Sequence, residues 1–179
     1  MSRITRFYRE AEMDEHEVKP SIREATASDR EGLAALLTGL ADERLDDIGI
    51  VIDPTPFLPE HAGAMLQFMR SQGCSLLVAE CDGLLAGFLL LTRPEECAGT
   101  HCAGVTMAVA REYRRRRVGS ALLATAQQMV ETQGMGGLQL TVRKHNEPAI
   151  RLYERFAFEK TDETETDFKM RWQNRAAAH

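Results

Sequence analysis

Apolar positions recur along this chain in two rhythms, and the switching between them sets the expected order of elements. Leu33, Leu36, Leu37 and Leu40 return at helical spacing, which predicts a helix over Glu31–Leu45 behind a start signal that includes Asp29. Ahead of it Ser21–Ala25, "SIREA", has a short strand-like alternation. Past a loop marked by Pro54, Pro56 and Pro59, a second helix is expected over Glu60–Gln72, with Ala64, Leu66, Phe68 and Met69 as its apolar surface. Ser75–Glu80 and Leu84–Thr92 read as strands. The Asp82-Gly83 pair between them favours a tight hairpin turn, since both positions tolerate positive φ. Arg93–Ala103 reads as a loop that leads into a strand over Gly104–Ala110. Val118, Leu122, Ala126 and Met129, widened by Leu123 and Val130, stripe a helix running to about Thr132, which Gly134, Gly136 and Gly137 end. Leu138–Val142 is a strand, and Asn146 can cap a helix carrying Ala149, Ile150, Leu152, Tyr153 and Phe156, with Pro148 tolerated in its first turn. A further strand begins at Phe158–Lys160, and Asp167–Trp172 is the last. Helices between strands, with a helix-bearing crossover from the Gly104 strand to the Val142 strand, imply an α/β layer with at least one parallel pair.

Composition narrows the class without naming a function. The 179 residues suffice for one buried core, and 44% hydrophobic with 27% charged residues is the balance of a soluble globular protein. No internal repeat or linker divides the chain. We expect a charged extension over residues 1–20, a single domain over 21–172 and a tail over 173–179. The longest apolar run, Leu84–Leu91, is too short to cross a bilayer, and the charged N-terminus lacks the apolar core of a signal peptide, so a cytoplasmic protein without membrane attachment is expected. Cys97, His101 and Cys102 lack the paired spacing of structural zinc sites, so no metal is expected. No stretch specifies an interface; a homodimer is compatible with the sequence.

Charge changes the picture at one place. Five arginines stand between Arg111 and Arg117 against one acid, Glu112, in a chain whose formal net charge is −5. The overall acidity argues against a nucleic-acid track. The cluster instead joins an apolar strand to the start of a helix, where unpaired backbone N–H groups and arginine side chains together suit a phosphate.

The stretch "MAVAREYRRRRVGSALL" followed by "VRKHNEPAIRLYERFAF" resembles the GCN5-related N-acetyltransferase superfamily, in order and length over roughly residues 21–172. The resemblance implies that family's acyl-CoA N-acyltransferase fold, a central mixed twisted sheet flanked by helices, with acetyl-CoA as acyl donor. The family's phosphate loop follows Gln/Arg-x-x-Gly-x-Gly/Ala. Arg114 and Gly119 conform, whereas Arg117 replaces the usual glycine, which we expect it to accommodate with a negative φ and an outward side chain. Arg111 stands where many members have proline, and Ala157 where they often have glycine. The resemblance further implies that Arg114, Arg115, Arg116, Arg117, Val118, Gly119 and Ser120 surround the pyrophosphate. Met107 and Val109 would pair their peptide groups with the pantetheine arm, and Val109 would steady the thioester oxygen. Asn146 would order the pantetheine region, and Tyr153 would lie near the sulfur, able to protonate the leaving thiolate.

The implied reaction is direct transfer of an acetyl group to a primary amine in a ternary complex. An amine of pKa near 10.4 is only about 0.04% neutral at pH 7, so a base or a desolvated site is needed. Relatives with a carboxylate on the central strand differ from this chain, which has Thr106 and Met107 there; Glu80, at the end of an earlier strand, could reach the cleft, and His101 is a titratable alternative in a loop. Asp42, Glu43, Asp46 and Asp47 form an acidic segment that favours a cationic acceptor, a small-molecule amine or a peptide amino group, with Phe57, Leu58 and Met65 as an apolar side. The four cysteines show no nucleophile–base arrangement. Arg117 and the lack of an evident base keep a second reading, an acyl-CoA-binding sensor or interaction module without turnover.

Overall fold

The computed structural model describes residues 19–42, 58–97 and 100–175. Strand β1 (Ser21–Glu24) enters a 3-10 turn at Ala27–Asp29 and then helix α1 (Arg30–Asp42). Helix α2 (Pro59–Ser71) precedes β2 (Ser75–Cys81), β3 (Leu84–Leu91), β4 (Glu95–Cys97) and β5 (Thr100–Val109). After these come α3 (Val118–Thr132), β6 (Gly137–Arg143), α4 (Glu147–Arg155), β7 (Glu159–Glu163) and β8 (Asp167–Gln173). The strands lie in the order β1-β2-β3-β5-β6-β8-β7, with β4 beside β5. Every neighbouring pair is antiparallel except β5 and β6, which run parallel through the α3 crossover.

Strand alternation sends side chains to two separate cores. On one face Ala103 and Val105 of β5, Leu138, Leu140 and Val142 of β6 and Met170 of β8 meet Leu122, Leu123, Ala126 and Val130 of α3. On the other, Leu33, Leu36, Leu37 and Leu40 of α1 and Ala62 and Leu66 of α2 cover Leu76, Val78, Phe88 and Ala108. Each fully buried leucine contributes about 1.5–3 kcal/mol through the apolar area it removes from water. The second core ends at β5: among the described residues, none of β6, β7 or β8 belongs to it. That half of the sheet therefore shows a polar face on the α1–α2 side.

The hairpin expected at Asp82-Gly83 forms with φ of 52° and 78°, both left-handed as its turn type requires. Three expectations need correction. Arg93–Ala103 is not a loop, because β4 and the first residues of β5 make a second hairpin, pairing Glu95 with Cys102 and Cys97 with Thr100. The composition around Pro94 hid it; pairing with β5, not propensity, makes the strand. Cys97 and Cys102 are consequently buried within strands. Phe68 and Ala64 do not supply the apolar surface of α2: Phe68 is 65% exposed, and the buried positions are Ala62 and Leu66. Gly137 does not end α3 but opens β6, while Gly134, with φ 65°, turns the chain after the helix. The described part of the first helix stops at Asp42, so its expected end at Leu45 lies outside the described residues.

Helix α4 ends on a Schellman pattern. The Phe158 N–H donates to the Tyr153 carbonyl (3.0 Å) and the Ala157 N–H to the Glu154 carbonyl (3.0 Å), with Ala157 at φ 59°. The Phe158 ring closes the motif against Tyr153 at 5.6 Å between centroids. An L-residue held left-handed costs about 1–2 kcal/mol, part of which glycine returns as unfolded-chain entropy. Ala157→Gly should therefore raise unfolding stability by roughly 0.5–1 kcal/mol. Urea titration checks this, and an unchanged or lower midpoint contradicts strain at that position.

Candidate active site

The parallel pair β5–β6 is short. Cys102 pairs with Gly137, Ala103 with Leu138 and Gly104 with Gln139, and there the pairing ends. Both strands continue: β5 stays bonded to β3 from Val105 to Val109, and β6 to β8 as far as Arg143. The result is a seam between two strand edges. The Gly104 N–H and carbonyl and the Ala110 N–H all bond toward β3 and its extension. Alternation then aims the N–H and C=O groups of Met107 and Val109 at the seam, where no strand pairs with them.

The basic turn lies at the wide end of this seam. Arg115 and Arg117 have φ of 64° and 61°, so the expectation of a negative φ at Arg117 is overturned. The motif position keeps the left-handed geometry that glycine would give, at a cost of about 1–2 kcal/mol. Left-handed residues alternating with Arg116 curl successive N–H groups into a concave nest that suits an anion. Arg117 is the N-cap of α3 without a side-chain cap, and no acid stands in the first turn of that helix. The carbonyl of Arg117 accepts the first helical bond, from the Ala121 N–H at 3.0 Å. The N–H groups of Val118, Gly119 and Ser120 thus face outward from the helix start. The Arg114 Nε donates to the Val109 carbonyl at 2.9 Å, tying the turn to the end of β5.

Gly119 brings three elements together. A Cβ there would lie 3.1 Å from Leu152 Cδ2 of α4 and 3.5 Å from Met107 Cε of β5. The start of α3, the open edge of β5 and the face of α4 next to Tyr153 therefore meet at one point. Tyr153 is buried, and that burial pushes its phenol up to about 12. The group stays protonated at neutral pH, able to donate but not to act as a base. Asn146 caps α4, its Oδ1 accepting the Ala149 N–H at 3.2 Å.

The opposite face of the seam opens into a groove of about 820 Å³. Val105 and Thr106 line it on one side of the seam and Leu140 and Thr141 on the other. Beyond them it reaches over β8 and the edge of β7.

Other expected residues lie elsewhere. Glu80 is on β2, two strands from β5, and its carboxylate accepts from the Arg23 guanidinium at 2.9 Å. Arg23 also clamps Asp29 with bonds of 2.8 and 2.7 Å, which hold that carboxyl down at about 2. The structure thus places Glu80 in an ion-pair network that pins β1 to β2, away from the groove. Asp42 is the last residue of α1, whereas Glu43, Asp46, Asp47 and Phe57 lie outside the described residues. Leu58 is 45% exposed at the start of α2, and Met65 packs on the second core. Burial pushes the Cys102 thiol up, away from a nucleophilic thiolate. Arg171 was not singled out in the sequence. The alternation of "DFKMRWQ" was the available signal for Arg171, since it places Asp167, Lys169 and Arg171 on one face of β8.

Comparison with known proteins bears on the family and the fold. The family model described as the Acetyltransferase (GNAT) family matches residues 41–158. A mycothiol acetyltransferase of Brachybacterium faecium is 35% identical over 85 residues, which cover 47% of this chain but only 26% of that protein. An N-alpha-acetyltransferase of Sulfurisphaera tokodaii is 29% identical over 135 residues, 68% of this chain and 80% of its own. Among solved structures, the PaiA N-acetyltransferase of Thermoplasma acidophilum, in complex with coenzyme A, has a TM-score of 0.65 at 21% identity, covering 87% of this chain and 99% of that one.

The sign of the Tyr153 effect gives a test. Because its folded value lies above that of a free phenol near 10, the bound proton favours the fold below pH 10, and this contribution disappears as pH climbs through about 12. Absorbance titration of the three tyrosines should show one late phenol that Tyr153→Phe removes. Loss of an ordinary step near 10 in that variant would contradict its burial.

Proposed function

The chain belongs to the GNAT acetyltransferase family, and from that premise we propose that it transfers an acetyl group from acetyl-CoA directly to a primary amine. The observation that carries the reading is the open edge of β5 beside an acid-free, nest-forming helix start. The donor fits the α3–α4 side. The nest over Arg115–Arg117 and the N–H groups of Val118, Gly119 and Ser120 would take the pyrophosphate, with the side chains of Arg114, Arg115, Arg116 and Arg117 adding charge. Met107 offers its seam-facing N–H and C=O, and Val109 its N–H, to the pantetheine arm as an added strand would, the Val109 carbonyl being held by Arg114.

When bound, the thioester supplies the acyl carbon that the amine attacks. The Val109 N–H can stabilise negative charge developing on the carbonyl oxygen. Tyr153, held protonated by burial, supplies the proton that the departing sulfur needs. The amine would approach through the groove on the other face, so that donor and acceptor meet across the seam. We do not assign proton removal to Glu80, because Arg23 occupies its carboxylate two strands away. The acidic segment with Asp42, Glu43, Asp46 and Asp47 supports a cationic nitrogen as the attacking end.

A non-catalytic sensor remains the competing reading, and Arg117 no longer favours it, since the arginine keeps the left-handed geometry of the motif. Calorimetry with acetyl-CoA should show saturable binding, and amines should then accelerate thiol release. Binding without acceleration by any amine would support the sensor. Tyr153→Phe should lower kcat by about a hundredfold while the KM for acetyl-CoA changes little, as expected for lost acid catalysis; unchanged kcat would remove Tyr153 from the chemistry.

A further inference from the structure

Among the described residues, the groove on the open face carries one cation that makes no ion pair. Arg143 and Lys169 line it, but each is paired, Arg143 with Asp167 at 3.2 Å and Lys169 with Asp162 at 3.3 Å. Arg171 lines the same groove, half-buried, and its Nε is a buried nitrogen without a hydrogen-bond partner. Glu159 faces it in the β7–β8 register but makes no ion pair with it among the described residues. Buried polar atoms are nearly always bonded, and a guanidinium taken partly out of water without an acceptor needs a reason. Its planar fork matches a carboxylate or a phosphate.

Register fixes where that fork stands. Gly104 pairs with Gln139, and Gln139 with Arg171, so the three form a row across β5, β6 and β8 at the last rung before the seam opens. Two strand spacings separate Arg171 from β5, on the order of 10 Å between backbones. From these observations we infer that Arg171 anchors an anionic group, carboxylate or phosphate, on the amine acceptor itself. The inference rests on the acetyl-transfer reading and names its substrate class: a primary amine whose anionic group lies several bonds from the nitrogen. The amine end reaches the seam at Thr106 and Thr141 while the anionic end docks on Arg171.

The test uses the intact chain and a matched series: 6-aminohexanoate, 6-aminohexyl phosphate, 6-aminohexanamide and 1,6-diaminohexane. Calorimetric binding to protein saturated with coenzyme A needs no turnover, and thiol release from acetyl-CoA gives the rate. The carboxylate or the phosphate member should bind and react at least about tenfold better than the carboxamide, as a charge-assisted bond implies, and whichever leads identifies the anion. Arg171→Gln should collapse the difference, and Arg171→Lys, which keeps the charge without the fork, should retain part of it; melting curves of both variants report any folding defect. Equal affinity for the carboxamide or the diamine overturns the inference, as does a preference that survives Arg171→Gln. Arg171-dependent anion binding without thiol release from any member would keep the anion site and remove the transfer reading. Absence of anion binding removes the site whatever the rates.

Discussion

The structure depends on a parallel strand pair that stops after three rungs. Beyond Gly104 and Gln139 the sheet parts, yet neither half loses support, because β5 stays bonded to β3 and β6 to β8. Unpaired backbone groups in a packed protein are costly, and most folds avoid them. Here the seam leaves such groups beside the junction where α3 begins. One core, under α3 and α4, runs across both halves of the sheet, from Leu77 and Leu89 of β2 and β3 to Leu138, Leu140 and Met170 of β6 and β8, so the seam can stay open without the domain separating.

Strain is gathered around the same junction. Arg115, Arg117 and Ala157 are all left-handed without being glycine. Such outliers persist only where their surroundings over-determine them. The first two shape the anion nest before α3; the third closes α4 so that Tyr153 is held against Phe158 beneath the seam. The cluster of arginines is thus more than a source of positive charge. Its backbone does part of the work, and its side chains stay exposed to solvent.

Much of this was legible in the residues. The helical stripe of Val118, Leu122 and Ala126, the Asp82-Gly83 hairpin and the cap at Asn146 are local signals, and local physics formed them as expected. The basic turn and the Asn146–Phe158 stretch pointed to the family because their order carried information that neither motif carried alone. What stayed hidden was non-local. The rung at which β5 and β6 part depends on pairing between segments more than 30 residues apart in the chain. Glu80 looked available until its partner, Arg23, arrived from another strand. The unpartnered Nε of Arg171 is likewise a property of the assembled sheet, though alternation along β8 had placed the residue on the polar face. At Arg117 the residue type suggested an ordinary backbone, and the turn imposed a left-handed one.

The central claim is that these edge and helix-start amides are a site for a coenzyme A thioester. Amide hydrogen exchange tests it at the groups concerned, with and without saturating acetyl-CoA. The account predicts slowed exchange at Met107 and Val109 and over Arg115–Ser120, with the amides of β2 and β3 little changed. Identical exchange at those positions in the two conditions, or protection confined to another part of the chain, would contradict it.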